Sequence, residues 1–278
     1  MTSGDEASNP GPAPRPAWLR LAPFLGNPPP LSARQWSVLG LVAIVSLFET
    51  YDLYLFALNL KHIQADLGIP EEDLGRVASW VRAGALPALL LTMAADRLGR
   101  RRLLLVTVVA YTVLTGATAF APDLTTFVVL QFLARTFAVA ETLIAIVVVA
   151  EEFAPEHRGW GIGALGAIQA CGAGLAAVAF GFVEMLPYGW RALYLIGLLP
   201  LGLVAYWRRT LPETSRFDEL RRTREAALRP TPALQSFAQL IRAFPGRVAS
   251  LAAVVLVFGL ASSSAGFFAP KYLQDVHG

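Results

Sequence analysis

Long apolar stretches recur along the chain, separated by segments that carry most of its charged residues. Each stretch is long enough to cross the ~30 Å of hydrocarbon in a bilayer as a helix. The connections after the second, third and fourth stretches are short, so these neighbouring helices are predicted to run antiparallel. The sequence therefore predicts an all-α integral membrane fold. The predicted spans are 36–60, 75–95, 103–121, 125–150, 160–184, 191–208 and 247–270.

Composition supports a membrane protein over a soluble one. Of the 278 residues, 55% are hydrophobic and 15% are charged, whereas soluble domains average roughly 25% charge. The mean hydropathy is +0.52, so the lipid bilayer is the expected partner of most of the surface. The net charge of +3 comes from arginines gathered in loops on one side. Topology explains this charge, and no nucleic-acid partner is expected.

The basic residues are divided unequally between the two sides of the predicted bundle. Loops that carry many arginines remain in the cytoplasm. The N-terminus is therefore predicted to be cytoplasmic and residue 278 external, in a multi-pass protein of the cytoplasmic (inner) membrane. The basic side holds Arg97, Arg100, Arg101, Arg102, Arg158, Arg208, Arg209, Arg216, Arg221, Arg222, Arg224, Arg229, Arg242 and Arg247, and the other side holds little beyond Lys61, Arg76, Arg191 and Lys271.

The chain divides into four segments. Residues 1–33 are rich in Pro, Ala, Gly and Ser, a composition that buries too little apolar area to fold, so a disordered cytoplasmic tail is predicted. Residues 34–209 hold six predicted helices. Residues 210–246 form a cytoplasmic linker, whose apolar residues favour a helix in the membrane interface; a solvated linker is the alternative. Residues 247–278 hold the seventh helix, for which we expect further helices of the same protein as packing partners.

Few residues offer metal or enzyme chemistry. Cys171 is the single cysteine, so neither a disulfide nor a cysteine metal site is expected. The histidines, His62, His157 and His277, lie far apart in the chain, and no metal site is predicted from that spacing. No histidine lies within an apolar span to activate the serines of the seventh helix. The sequence does not predict an enzyme.

Two acidic residues, Glu49 and Asp52, lie near the middle of the first predicted helix. An ionised carboxylate at that depth costs at least ~2.5 kcal/mol. The i, i+3 spacing places both on one helix face, which Phe56 and Asn59 extend. Since two carboxylates this close cannot both ionise cheaply, we expect a proton-exchanging site of the kind that proton-coupled transport needs. A carboxylate that only neutralises a buried arginine is the alternative.

The fourth predicted helix carries Arg135 and Glu141 near its middle. Their six-residue separation puts them about 120° apart on a helix. Gln131, Arg135 and Thr142 form a closer line, and Glu141 belongs to an adjacent stripe. Because a buried arginine without a partner is costly, Arg135 is predicted to pair with an acid. Our hypothesis is that the acid comes from the first helix.

Two further polar residues within spans, Arg82 and Gln169, are candidates for a substrate cavity. Arg82 either extends outward to water or faces the cavity as a site for an anionic group. Gln169 either contacts substrate or makes an interhelical hydrogen bond. The fifth predicted helix also repeats small residues at i+4, which is expected to let helices approach closely. The two sets are Gly163, Ala167 and Cys171, and Gly166, Ala170 and Gly174.

The loop after the second predicted helix reads AADRLGRRR. Asp96 is placed to cap the third helix, and Gly99 permits a tight turn. Asp96, Arg97, Gly99, Arg100 and Arg101 resemble the D-R-x-G-R-[RK] signature of the major facilitator superfamily. Three further segments are similar to runs of that family: Glu49-Thr50-Tyr51-Asp52, Glu141 and Glu151 followed by PEHRG, and LPETSRF after the sixth helix.

The resemblance implies two six-helix halves that rock around a central site, of which this chain holds the first half and helix seven. It also implies that the AADRLGRRR loop latches one transport state through contacts with the other half. The chain departs from the family in two places, with Thr92 where a glycine is usual and Gln131 where the helix-four arginine is usual. Arg135 is therefore either shifted by one turn from the expected position or aligned with it through a short deletion.

The function that the resemblance implies is secondary active transport of a small organic solute, an organic acid or a sugar-like metabolite, by proton symport with alternating access. The proton gradient supplies the energy and no cofactor is expected. Alternatives are a proton-independent sugar facilitator, an efflux carrier, or an inactive fragment of such a transporter. The proposed proton-coupling residues are Glu49, Asp52, Arg135 and Glu141, and the proposed substrate-cavity residues are Phe56, Asn59, Arg82, Gln131, Thr142 and Gln169.

Overall fold

The computed structural model describes the backbone of residues 14–98, 100–208, 239 and 241–277, and side chains there except at 94–98, 100–101, 199–201, 203–208, 261–265 and 277. Regular secondary structure within these ranges is entirely helical, which confirms the all-α prediction. The helices are α1 (Ala33–Leu58), α2 (Leu60–Leu67), α3 (Leu74–Ala83), α4 (Ala85–Leu98), α5 (Arg100–Thr118), α6 (Leu124–Glu152), α7 (Arg158–Phe180), α8 (Trp190–Arg208) and α9 (Pro245–His277). Four short 3-10 helices cover Ala17–Leu21, Pro23–Leu25, Glu71–Asp73 and Val183–Met185 within the described ranges.

The helices follow the predicted spans closely. The first span corresponds to α1, the second to α3 and α4 together, and the remaining five to α5 through α9. Among the described residues, α1, α6 and α7 are long and apolar enough to cross a membrane by length and composition. Shorter apolar runs occupy Arg102–Thr118 in α5 and Pro245–Leu260 in α9. Most of the predicted linker, residues 209–238 and 240, lies outside the described residues.

Side-chain caps explain where two of the long helices begin. Ser32 caps α1, because its hydroxyl accepts a hydrogen bond from the Gln35 backbone while the Gln35 side chain accepts one from the Ser32 backbone. Asp123 caps α6 by accepting from the Thr126 backbone N–H at 2.8 Å. Such caps satisfy amide groups that have no partner within the first turn. The next helix after α1 stops at Gly68, which takes φ +62° at little steric cost.

Helix α1 lies at the centre of the bundle, in contact with α6, α7, α8 and α9. Its closest neighbour is α7, and Gly172 permits that approach: a Cβ there would lie 2.1 Å from the Leu47 carbonyl oxygen. The close-approach residues differ from the predicted ones. Around Gly163, Gly166 and Gly174 a Cβ would meet nothing within 4 Å, so these three glycines do not make the close approach, although Ala167 of the first set packs against the core. The sequence repeats small residues around most of α7, and only tertiary packing selects one side.

The first residues of the described chain are folded against the bundle, which corrects the prediction of disorder for residues 1–33 over residues 14–32. Leu31 is only 1% exposed, and Leu25 is also buried in a cluster with α1 and α7. The indole N–H of Trp160 donates to the Leu25 carbonyl at 3.2 Å. A few large apolar side chains hold this segment, although its average composition is typical of a disordered tail. Residues 1–13 lie outside the described residues.

Helix α9 contacts the other described helices through its C-terminal half. There Asp275 lies 3.0 Å from the Lys61 ammonium and 2.6 Å from that of Lys271. The Gln274 side-chain amide donates to the Leu58 carbonyl at 2.9 Å. The N-terminal half presents a run of exposed apolar side chains over residues 251–260. Such a surface is typical of helices that face lipid or another helix.

The contact between Gly172 and α1 predicts the effect of one added methyl group. Alanine normally stabilises a helix relative to glycine by about 0.5–1 kcal/mol. Gly172→Ala is instead expected to lower stability by about 1–3 kcal/mol, because its Cβ overlaps backbone atoms of α1. Thermal unfolding of the purified protein in detergent measures the change. Gly174→Ala, whose Cβ meets open space, is the control, and equal melting temperatures for the two variants would contradict this packing.

The ion pairs around Asp275 predict the behaviour of the α9 C-terminus. Hydrogen bonds from Lys271 and Lys61 hold the pKa of Asp275 below its ordinary value, so these contacts persist at neutral pH and weaken as pH falls through that lowered value. Asp275→Asn is expected to speed amide hydrogen exchange in the last turns of α9 and in α2. Glu72→Gln, an exposed acid outside this cluster, serves as the control. Unchanged exchange in Asp275→Asn would show that these ion pairs do not hold the helix.

Candidate functional site

The two acids of α1 lie inside the bundle. Glu49 is 6% exposed and Asp52 is 8% exposed. Their common helix face, set by the i, i+3 spacing, is directed toward α5 and α6. Two ionised carboxyl groups buried this close together are energetically costly. The protonation states of this site therefore depend on the polar groups beside it.

Helix α6 supplies the groups that meet Glu49. Arg135 Nη1 lies 4.0 Å from Glu49 Oε1, and the Thr142 hydroxyl donates to Glu49 Oε2. Arg135 and Thr142 are seven residues apart and therefore share a helix face. The hypothesised contact between Arg135 and an acid of the first helix is present, one turn after the family position at Gln131. The role of these residues in proton coupling stays a prediction.

Helix α5 supplies the groups around Asp52, and sequence reasoning did not find them. The hydroxyls of Tyr111 and Thr115 lie beside Asp52. Tyr111 is almost completely buried, and its hydroxyl also lies 3.3 Å from the Phe48 carbonyl. A tyrosine within an apolar span was the available signal, because a buried phenol needs a polar partner. Nothing in the spacing alone identified Asp52 as that partner.

A third buried acid and a second arginine complete the charged cluster. Glu141 is 1% exposed, and its charge acts on Glu49. Arg82 is close enough to Arg135 for their charges to interact. The described part of the site therefore brings three buried carboxyl groups close to two partly exposed arginines.

Arg82 is partly buried and packs against an aromatic ring of α9, while its role as a site for an anion stays a prediction. Its guanidinium carbon lies 4.8 Å from the ring centroid of Phe267 on α9. Phe267 also packs against Phe56 on α1, with ring centroids 5.0 Å apart. A cation over an aromatic face is attracted by the ring quadrupole. This contact joins α9 to the charged cluster through one aromatic side chain.

A close helix crossing sets the position of Arg135. A Cβ on Gly84 would lie 2.3 Å from the Phe132 carbonyl oxygen and 3.1 Å from the Arg135 Cβ. The Thr136 hydroxyl donates to the Gly84 carbonyl at 2.7 Å. Gly84 separates α3 from α4, and only a residue without a side chain fits there. The crossing brings α6 close enough to α3 for Arg135 and Arg82 to approach each other.

A small cavity of about 20 Å³ lies within the cluster. This volume suits about one water molecule. A much larger apolar groove of about 930 Å³ lies between Trp18, Trp36 and Ile168, and neither acid lines it. The small cavity is lined by Glu49, Asp52, Leu53, Phe56, Val81, Gln131, Arg135 and Ala138.

Some predicted site residues are not brought to the cluster. Asn59 is fully buried at the end of α1, where its amide donates to the Leu55 carbonyl of the same helix at 2.9 Å. Gln169 is half-buried on α7 and does not line the small cavity. The role of Asn59 in a substrate cavity stays a prediction. In the loop motif, Gly99 and the side chains of Asp96, Arg97, Arg100 and Arg101 lie outside the described residues.

Comparison with known proteins agrees with the sequence resemblance. The model of the Major Facilitator Superfamily matches residues 42–278. A putative niacin/nicotinamide transporter of Bacillus subtilis is 27% identical over 197 residues, covering 70% of this chain and 48% of the relative. A gallate transporter of Pseudomonas putida is 31% identical over 218 residues, covering 77% and 46%. The chain spans about half the length of the curated relatives it matches.

The fold is also similar to a solved transporter structure. The inward open conformation of the xylose transporter XylE from E. coli gives a TM-score of 0.63 at 16% identity, covering 86% of this chain and 64% of that chain. At this level of identity the similarity speaks to the fold alone. The helical spans, the shared fold and the family match over residues 42–278 lead to one assignment: this chain is a multi-pass membrane protein of the major facilitator superfamily.

Proposed function

We propose that the chain belongs to a secondary active transporter that carries a small organic acid across the cytoplasmic membrane by proton symport, with its N-terminus in the cytoplasm. The observation that carries the proposal is the contact of Glu49 with Arg135 next to Asp52, inside the bundle. Charged groups are rare and usually functional in membrane spans.

The coupling follows from competition for Arg135. When Glu49 is ionised, it neutralises Arg135. When a proton neutralises Glu49, the guanidinium of Arg135 becomes available to a second anion. A carboxylate substrate meets this requirement, so proton binding and substrate binding favour the same state. Rocking of two halves around the site would then expose proton and substrate together to each side in turn.

The substrate class is proposed from the chemistry of the site and from the relatives. Arg82 and Arg135 supply positive charge, and Phe56 and Phe267 supply aromatic faces nearby. Such a combination suits a small aromatic carboxylate. Relatives are named as transporters of niacin, gallate, 4-hydroxybenzoate and benzoate, all of which exist as carboxylic acids. Nicotinate and benzoate are therefore the first probes.

Replacement of Asp52 tests proton coupling. Asp52→Asn removes a group that can exchange a proton and keeps its shape, so uptake driven by a pH gradient is expected to be lost. Counterflow of the same solute, which needs no net proton movement, is expected to persist. Radiolabelled nicotinate and benzoate, in proteoliposomes that contain the full product of the native gene, give both rates.

Asp73→Asn is the matched control, because Asp73 is remote from the cluster and pairs with the exposed Arg76. If Asp52→Asn retains gradient-driven uptake at the rate of this control, Asp52 is not the coupling group. If uptake by the unmodified protein does not depend on the pH gradient, proton-independent facilitation is favoured instead. Transport by the 278-residue chain alone would show that this length suffices.

Replacement of Arg82 tests recognition of an anion. Loss of one charged hydrogen bond costs about 1.5–3 kcal/mol, which corresponds to roughly a 10–100-fold weaker affinity. Arg82→Gln is therefore expected to raise the KM for benzoate by about tenfold or more. Arg76→Gln, on the same helix α3 but 69% exposed at its side chain, is the control. Equal KM values for the two variants would show that Arg82 does not bind the substrate.

A further inference from the structure

The small cavity between α1, α3 and α6 contains polar atoms that face no hydrogen-bond partner. Asp52 Oδ1 and Arg135 Nε each expose less than 1 Å² and make no hydrogen bond to the described residues, although the Tyr111 and Thr115 hydroxyls lie beside the Asp52 carboxyl group. Both residues line the cavity of about 20 Å³. Buried polar groups of this kind are normally satisfied by protein atoms or by ordered water.

The two atoms have opposite requirements. Arg135 Nε carries an N–H group and can only donate, while Asp52 Oδ1 is an acceptor when the carboxyl group is ionised. A single water molecule accepts from the first and donates to the second. Its other hydrogen remains free for a third partner, and the Glu49 carboxyl group lines the same cavity. The volume is near the minimum that one water needs, and it excludes an organic solute.

We infer that this cavity is a specific site for one water molecule, which connects Glu49 to Asp52 and passes protons between them. The water binds through Arg135 Nε, Asp52 Oδ1 and Glu49. The relay role rests on the proposed proton symport, whereas the water site itself does not.

The transfer needs no further reactant. A protonated Glu49 gives its proton to the water oxygen, and in the same step the water gives one of its own hydrogens to Asp52 Oδ1. One O–H bond forms on Asp52 and one breaks on Glu49, and the water is regenerated. The negative charge moves from Asp52 to Glu49, beside Arg135. Protonation of Asp52 is thereby coupled to ionisation of Glu49 and so to its ion pair with Arg135.

Direct detection of the water is the first test. A structure of the full product of the native gene, at a resolution where other buried waters are visible, is expected to show density within hydrogen-bond distance of Asp52 Oδ1 and Arg135 Nε. An infrared difference spectrum in H₂¹⁸O is expected to show a water O–H band that changes in Asp52→Asn. If other buried waters are visible and this position shows no density, the proposed water site is wrong.

A cavity-filling variant tests the relay. Ala138 is buried and lines the cavity, so Ala138→Val is expected to displace the water and remove its density. The ratio of gradient-driven uptake to counterflow of benzoate is then expected to fall several-fold. Ala134→Val is the matched control: it makes the same change one turn earlier on α6, at a buried alanine outside the cavity lining.

The outcomes separate the water site from the proposed function. If Ala138→Val loses the water but keeps the uptake ratio of Ala134→Val, the relay is wrong and the water is structural. If density is present but Asp52→Asn retains gradient-driven uptake, the symport proposal fails together with the relay, and the water site stands. If Ala138→Val does not fold, the infrared band in the unmodified protein and in Asp52→Asn decides the site.

Discussion

The cost of holding charge inside a lipid-surrounded helix bundle governs the centre of this molecule. Glu49 and Asp52 are withdrawn from water and need polar neighbours there. Arg135 and Thr142 meet the first of them, and Tyr111 lies beside the second. Because these neighbours come from α5 and α6, the three helices must keep one relative arrangement. Movement of any one helix would leave a buried carboxyl group without its partners.

Close helix crossings make this arrangement possible. Gly172 lets α7 approach α1, and Gly84 lets α6 approach α3. In lipid the hydrophobic effect contributes little to helix association, so close packing and hydrogen bonds carry it. Helix α9, the seventh predicted span, contacts this region through Phe267, which packs against Arg82, and through the ion pairs of Asp275. Its contacts lie at the C-terminal half, while much of its N-terminal half is exposed.

Much of the fold and part of the site were predictable from the sequence. Apolar length gave the spans, and helical periodicity placed Arg135 and Thr142 on one line, where both now meet Glu49. Asn59 shares the face of the acids, but its side-chain amide donates within its own helix rather than to the charged cluster. Periodicity gives a direction around the helix axis and says nothing about depth or neighbours. It therefore also missed Tyr111, whose partner lies on another helix.

The sequence by itself determined that this chain is a bundle of membrane helices with an acid pair on one face of α1. These features depend on local quantities: the length of apolar runs, the 3.6-residue period and the distribution of arginines. Tertiary structure decided which side of α7 packs on α1, that residues 14–32 fold against the bundle, and that Arg82 faces Phe267. Each of these depends on the shape and polarity of a surface contributed by a distant part of the chain. No local pattern contains that information, because the same small or apolar residues are compatible with several neighbours until the helices pack.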